Sequence, residues 1–119
     1  MKVYKVIINQ QASHDLKSIY NYIVHVLNAP DIALSKVNTL ASAIRGLDIF
    51  PEGNRRCQEE PWHSMNMRIM SVDKYLVYYS VDSDNFIVTV SRIVSSRSNF
   101  SQLLNDSVRP VVYSAMHDR

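Results

Sequence analysis

The sequence has a single cysteine, Cys57, and so no means of forming an intrachain disulfide. A chain of 119 residues must therefore be held by its own packing, and a hydrophobic share of 46% supplies one core without room for a second independent one. A lone thiol also suits a reducing cytosol. Histidine is equally sparse: His14, His25, His63 and His117 are scattered and show no metal-ligand spacing, so neither a metal nor another cofactor is expected. No run approaches the roughly 20 apolar residues that a membrane helix requires. Met1-Lys2 leads into a short β-branched run rather than the apolar segment of a signal peptide, so a soluble cytoplasmic protein with no membrane partner is expected. A charge excess is lacking as well, with 13 lysines and arginines against 11 acids. Proteins that track nucleic-acid backbones often carry a strong basic excess, because each neutralised phosphate releases counterions. Any such contact here has to come from a local patch.

What is present is a clear alternation of element signals. Residues 3–8 are short, β-branched and mostly apolar, as a first strand would be. Ser13 reads as a helix N-cap, with Asp15 close behind to favour the positive end of the helix dipole. Ala12, Leu16, Ile19, Tyr20, Ile23 and Leu27 then recur at helical spacing. Asn28-Ala29-Pro30-Asp31 interrupts the pattern, since proline cannot continue a helix interior. A second amphipathic helix follows, with Ile32, Ala33, Val37, Leu40, Ala41, Ile44 and Leu47 on one face. Lys36, Asn38, Ser42 and Arg45 lie largely on the other. The short connection predicts an antiparallel helical hairpin, stopped by Pro51-Glu52-Gly53-Asn54.

Residues 53–64 read as a polar connector without periodicity. Three strand signals succeed it, at 65–70, 75–81 and 86–94, the last two separated by the turn cluster Asp82-Ser83-Asp84-Asn85. Their short links predict an antiparallel meander. The expected fold is thus α+β, in the order β-α-α-β-β-β, with an antiparallel sheet packed on an α-helical hairpin. Residues 1–104 form the expected domain, and 105–119 a tail with little pattern that is expected to be disordered or loosely held.

Four segments in this order resemble the RelE/ParE superfamily of toxins from type II toxin–antitoxin systems. Asp15-Leu16-Lys17-Ser18-Ile19-Tyr20-Asn21-Tyr22-Ile23 is similar to the first helix of that family. Ala43-Ile44-Arg45-Gly46-Leu47-Asp48-Ile49-Phe50-Pro51 resembles the close of its second. Met67-Arg68-Ile69-Met70-Ser71-Val72-Asp73-Lys74-Tyr75-Leu76-Val77-Tyr78-Tyr79 resembles its central hairpin, and Arg92-Ile93-Val94-Ser95-Ser96-Arg97 the end of its last strand. The resemblance covers about residues 2–104. It implies a cognate antitoxin that neutralises the chain, and one of two targets: DNA gyrase for ParE-like members, or the ribosome with mRNA for RelE-like ones.

Metal-independent RNA cleavage needs a group to take the 2′-hydroxyl proton, one to protonate the leaving oxygen, and cations for the phosphorane. Arg68 stands where the family places a functional strand arginine. Arg92 and Arg97 flank the last strand and could form a phosphate clamp with it, or equally bind acidic side chains of an antitoxin. Lys74 and Tyr75 complete the expected target- or phosphate-binding set. His63 is a possible acid/base, although a solvated loop histidine is the ordinary reading. Strand alternation puts Tyr75 and Tyr79 on one sheet face and Tyr78 on the other. Cys57 and the remaining histidines are expected to have no role in the site.

The resemblance to the nucleases is thin at the chemistry. Residues 65–70 contain one cation only, Leu76 stands where the nucleases carry arginine, and Phe100 cannot exchange a proton. Tyr113 could substitute only if the tail folded back. The balance favours a ParE-like inhibitor of DNA gyrase that hydrolyses nothing. A ribosome-dependent mRNA endonuclease (an mRNA interferase) and a member that has lost toxicity remain the alternatives.

Overall fold

The computed structural model describes residues 3–96. The order is β1 (Lys5–Ile8), α1 (Gln10–Asn21) running into a π-helical turn (Tyr22–Val26), α2 (Pro30–Arg45), two short 3-10 turns (Gly46–Asp48 and Pro51–Gly53), β2 (Met67–Val72), β3 (Tyr75–Asp82) and β4 (Ile87–Ser95). The expected element order therefore stands. The Arg97 expectation and the 105–119 tail lie outside the described residues. No helix among the described residues is long and apolar enough to cross a membrane.

The strands line up as β1-β4-β3-β2. β2, β3 and β4 form the expected antiparallel meander. β1, however, pairs parallel with β4, Lys5 opposite Ile87 through Ile8 opposite Val90, so the sheet is mixed rather than wholly antiparallel. Parallel neighbours need a long crossover, and here the helical hairpin and the first two strands of the meander supply it.

The start of α1 differs from the expected one. Asn9, not Ser13, is the N-cap, its Oδ1 accepting the Ala12 N–H at 2.8 Å. Asparagine and serine are comparable caps. The earlier residue wins because the chain leaves β1 there, its N–H donating to the Val90 carbonyl at 3.0 Å. Asp15, expected close behind the cap, therefore lies past the first turn, and it is buried, 3% exposed. Its carboxylate accepts the Arg92 Nε–H at 2.9 Å and the Ile93 backbone N–H at 2.9 Å.

Both faces of the sheet are covered. On the helical side Ala12, Leu40, Ile44 and Leu47 pack on Val77, Tyr79, Val88, Val90 and Ile93. On the other side Cys57 and Trp62 pack on Met67, Ile69, Tyr78 and Val94. The tyrosines divide between faces as alternation requires, Tyr75 and Tyr79 with the first cluster and Tyr78 with the second. Cys57 is thus a core residue, and burial pushes its thiol pKa up. The connector that carries it runs along β2: the Cys57 N–H donates to Met67 O at 2.8 Å and the Ile69 N–H to Arg55 O at 3.0 Å.

Two stability predictions follow from these buried polar groups. Asp15→Ala removes a buried carboxylate that accepts from both the Arg92 guanidinium and the Ile93 N–H, and should cost about 3–5 kcal/mol in urea unfolding. The double variant Asp15→Leu/Arg92→Met should recover part of that loss, because both members of the buried ion pair are then replaced by apolar side chains. Tyr79 donates its hydroxyl to Pro51 O and receives the Asn54 Nδ2–H at 3.0 Å, with burial raising its pKa. Tyr79→Phe should cost about 1–3 kcal/mol in the same measurement by stranding the buried carbonyl.

Candidate functional site

A groove of about 770 Å³ lies between the helical hairpin and the end of the sheet where β3 begins and β4 finishes. Ile19 and Ile23 from the first helical segment meet Tyr75, Ile93 and Val94 from the strands along it. Tyr22, Leu27 and Ile32 stand at the hairpin tip and are 55%, 55% and 54% exposed. Leu27 and Ile32 were expected on the buried helix faces. Both are exposed instead, at the tip of the hairpin, outside the buried clusters of the described residues. Contiguous exposed apolar side chains bordered by polar ones mark a binding surface more often than isolated ones do.

Lys36 and Lys74 supply cations to the same groove. Lys36 was expected on the solvent side of α2, but it follows Ile32 by one helical turn and so falls on the boundary of that face. Its Nζ reaches Asp73 Oδ2 at 3.2 Å, tying α2 to the β2–β3 turn. Both side chains are more than one-third exposed, so the pair contributes little stability. Tyr75 is half-buried beside them. Burial raises its pKa, with the Lys36 cation opposing and the Asp73 carboxylate adding, so at neutral pH its phenol is a hydrogen-bonding group and not a base.

Three of the expected site residues, Lys74, Tyr75 and Arg92, therefore meet in one groove. Arg92 enters it from within the core: its guanidinium is held by Asp15 and the residue is 3% exposed. The expected clamp of Arg68 with Arg92 is not assembled. Arg68 pairs with Tyr79, four residues along β3 from Tyr75, or about 13 Å away at strand spacing. Its Nη1 donates to Asn54 O at 2.7 Å and to Glu52 O at 3.2 Å, so it fastens the loop before the connector. His63 lies in the connector, its Nδ1 3.0 Å from Cys57 O. Arg97 is outside the described residues. Sequence reasoning missed Tyr22, Lys36 and Asp15 as groove residues. The pairing of Asp15 with Arg92, across 77 positions, leaves no local signal.

A second depression, about 760 Å³, runs along the outer side of α2 beside Asp31, Ser35, Asn38 and Ser42. It collects none of the expected residues and less apolar surface than the groove, which is the stronger candidate. The groove can hold an apolar or amphipathic surface and neutralise negative charge at its lysines. Among the described residues it brings no proton donor and acceptor together with a phosphate-binding arginine.

The fold is shared with solved toxin–antitoxin proteins. A chain of the chromosomal ParDE system from P. aeruginosa superposes with a TM-score of 0.65 at 22% identity, over 78% of this chain and 96% of that one. A chain of the RelBE2 toxin–antitoxin complex from Mycobacterium tuberculosis gives 0.57 at 18% identity, over 80% and 93%. No curated protein matches the sequence. The family model for the ParE toxin of the type II toxin–antitoxin system parDE matches residues 6–100, which takes in every described helix and strand except the first residue of β1. The chain belongs to the ParE family of type II toxin–antitoxin toxins.

Proposed function

We propose that this toxin arrests growth by holding a protein target against the hairpin groove, that the target is DNA gyrase, and that no nucleic acid is cut. The observation that carries this reading is the content of the groove. Apolar side chains at the hairpin tip and two lysines face the opening, while Arg92 is already engaged by a carboxylate. Such a surface suits docking, in which a few apolar anchors supply most of the binding energy. RNA cleavage instead asks for a proton carrier within hydrogen-bond reach of the attacking hydroxyl and cations at the phosphorane. Arg68, spent on two loop carbonyls, and Arg92, spent on Asp15, do not form that arrangement.

A cognate antitoxin neutralises the toxin in this reading, as the two solved relatives, both from toxin–antitoxin systems, suggest. An antitoxin segment laid across the groove covers the surface that the target needs, so neutralisation requires no change inside the toxin.

Purified toxin should inhibit gyrase supercoiling, while mRNA on translating ribosomes stays intact. Tyr22→Asp combined with Lys74→Glu should weaken that inhibition by about tenfold or more, the scale expected for losing one interface anchor. Codon-phased mRNA cuts with untouched gyrase would overturn the gyrase reading in favour of an mRNA endonuclease. Full inhibition by the double variant would remove the groove from it.

A further inference from the structure

The two edges of the sheet differ. Along β2 the connector is already paired, through the Cys57 N–H to Met67 O and the Ile69 N–H to Arg55 O. β1 forms the opposite edge. Lys5 and Asn9 turn their N–H groups toward β4, donating to Phe86 O at 2.8 Å and to Val90 O at 3.0 Å. Backbone groups alternate in direction along a strand, so those of Tyr4, Val6 and Ile8 point away from the sheet. Asp48 O takes up the Tyr4 N–H at 2.8 Å. Val6 and Ile8 have no such cover among the described residues. Ile7 and Ile8 are exposed along this edge, and Val3, Ile49 and Phe50 are exposed at its Tyr4 end. A bare edge flanked by apolar side chains is a template for another extended chain.

We propose that a second copy of this chain pairs its own β1 antiparallel along this edge, about a two-fold axis through Ile7. The free groups select both the occupant and the register. Their run is short, because Tyr4 is taken by Asp48 and the chain enters α1 after Asn9. A long extended guest finds only two residues to pair with, whereas a second β1 brings the same two. Setting Val6 opposite the second copy's Ile8, and the reverse, uses every free group in about four hydrogen bonds. Val6 against Val6 would set Ile8 against the occupied Tyr4, and Ile8 against Ile8 would set Val6 against the start of α1. In the favoured register Ile7 faces its own copy as a non-hydrogen-bonded pair, the closer kind, and each covers the other's exposed side chain. The charges agree with it. Lys5, the one charged residue of β1, falls opposite Asn9, so the two lysines stand about 13 Å apart along the strands rather than face to face. The contact is isologous, the same patch serving on both copies. None of the paired residues lines the hairpin groove, so each copy keeps its groove for a partner, whichever target the toxin meets.

Sedimentation of the full chain should show monomer passing to dimer over the micromolar range, as suits a small interface. The amides of Val6 and Ile8 should exchange with deuterium slowly in the dimer and faster on dilution. Ile7→Lys and Ile7→Glu each set like charges against each other across the axis, and each alone should weaken self-association by about tenfold or more. Mixed in equal amounts, the two variants should associate again, because every lysine then faces a glutamate. A contact in which position 7 meets some other residue gives no such recovery. A chain that stays monomeric up to about 1 mM overturns the proposal. So does a mixture that fails to recover, and so does protection of both amides in the monomer, which assigns the edge to the rest of the same chain. If the charged variants do not fold, oxidation of Ile7→Cys decides instead, since Cys57 is buried. Facing positions lie within disulfide reach, so position 7 should link two copies faster than Ile8→Cys does. Equal or slower linking at position 7 overturns the register and the proposal with it.

Discussion

One buried carboxylate organises this molecule. Beyond Val90 the fourth strand has no β1 beside it, and the ladder with β3 slips at the same place, Tyr78 facing Arg92 and Tyr79 facing Val90. Ser91 is the extra residue. Asp15, reaching down from α1, takes up the Ile93 N–H and the guanidinium of Arg92. The helix thereby does for the upper half of β4 what β1 does for the lower half. Ionic partners in a low-dielectric interior are costly to desolvate, so the pair is more convincing as a device for fixing the angle of α1 against the sheet than as a source of net stability.

The angle matters because the groove lies between those two elements. With α1 held at Asp15, the chain past Asn21 passes through a wider π-helical turn, and Tyr22 and Leu27 stand exposed at the hairpin tip. The hairpin then has two functions along its length. Its base seals the core with Ala12, Leu40 and Ile44, and its tip carries apolar side chains that no strand among the described residues covers. Surface of that kind is expensive to keep in water, and its persistence at the tip fits a protein whose working state is a complex.

Much of this was legible in the sequence. Helical spacing over residues 12–47 gave the hairpin, and strand alternation sorted Tyr75 and Tyr79 from Tyr78. Other features depend on distant residues and leave no local trace. Asp15 looks like an ordinary helix-start acid until Arg92 is placed beside it. Leu27 and Ile32 continue an apolar stripe perfectly well, and only the tertiary packing leaves them exposed. The stretch at residues 53–64 is polar by composition, yet Cys57 and Trp62 within it close the second core. Arg68 illustrates the limit for function: its strand position was readable, but its loyalty to the carbonyls of Glu52 and Asn54 was not.

The backbone of residues 55–57 lies along the outer flank of β2, exchanging hydrogen bonds with Met67 and Ile69. An uncovered strand at that position would present unpaired amides to any other extended chain, and so invite copies of the protein to zip together into aggregates. The connector occupies those amides in advance. On that side the sheet offers a second chain fewer free backbone groups to pair with.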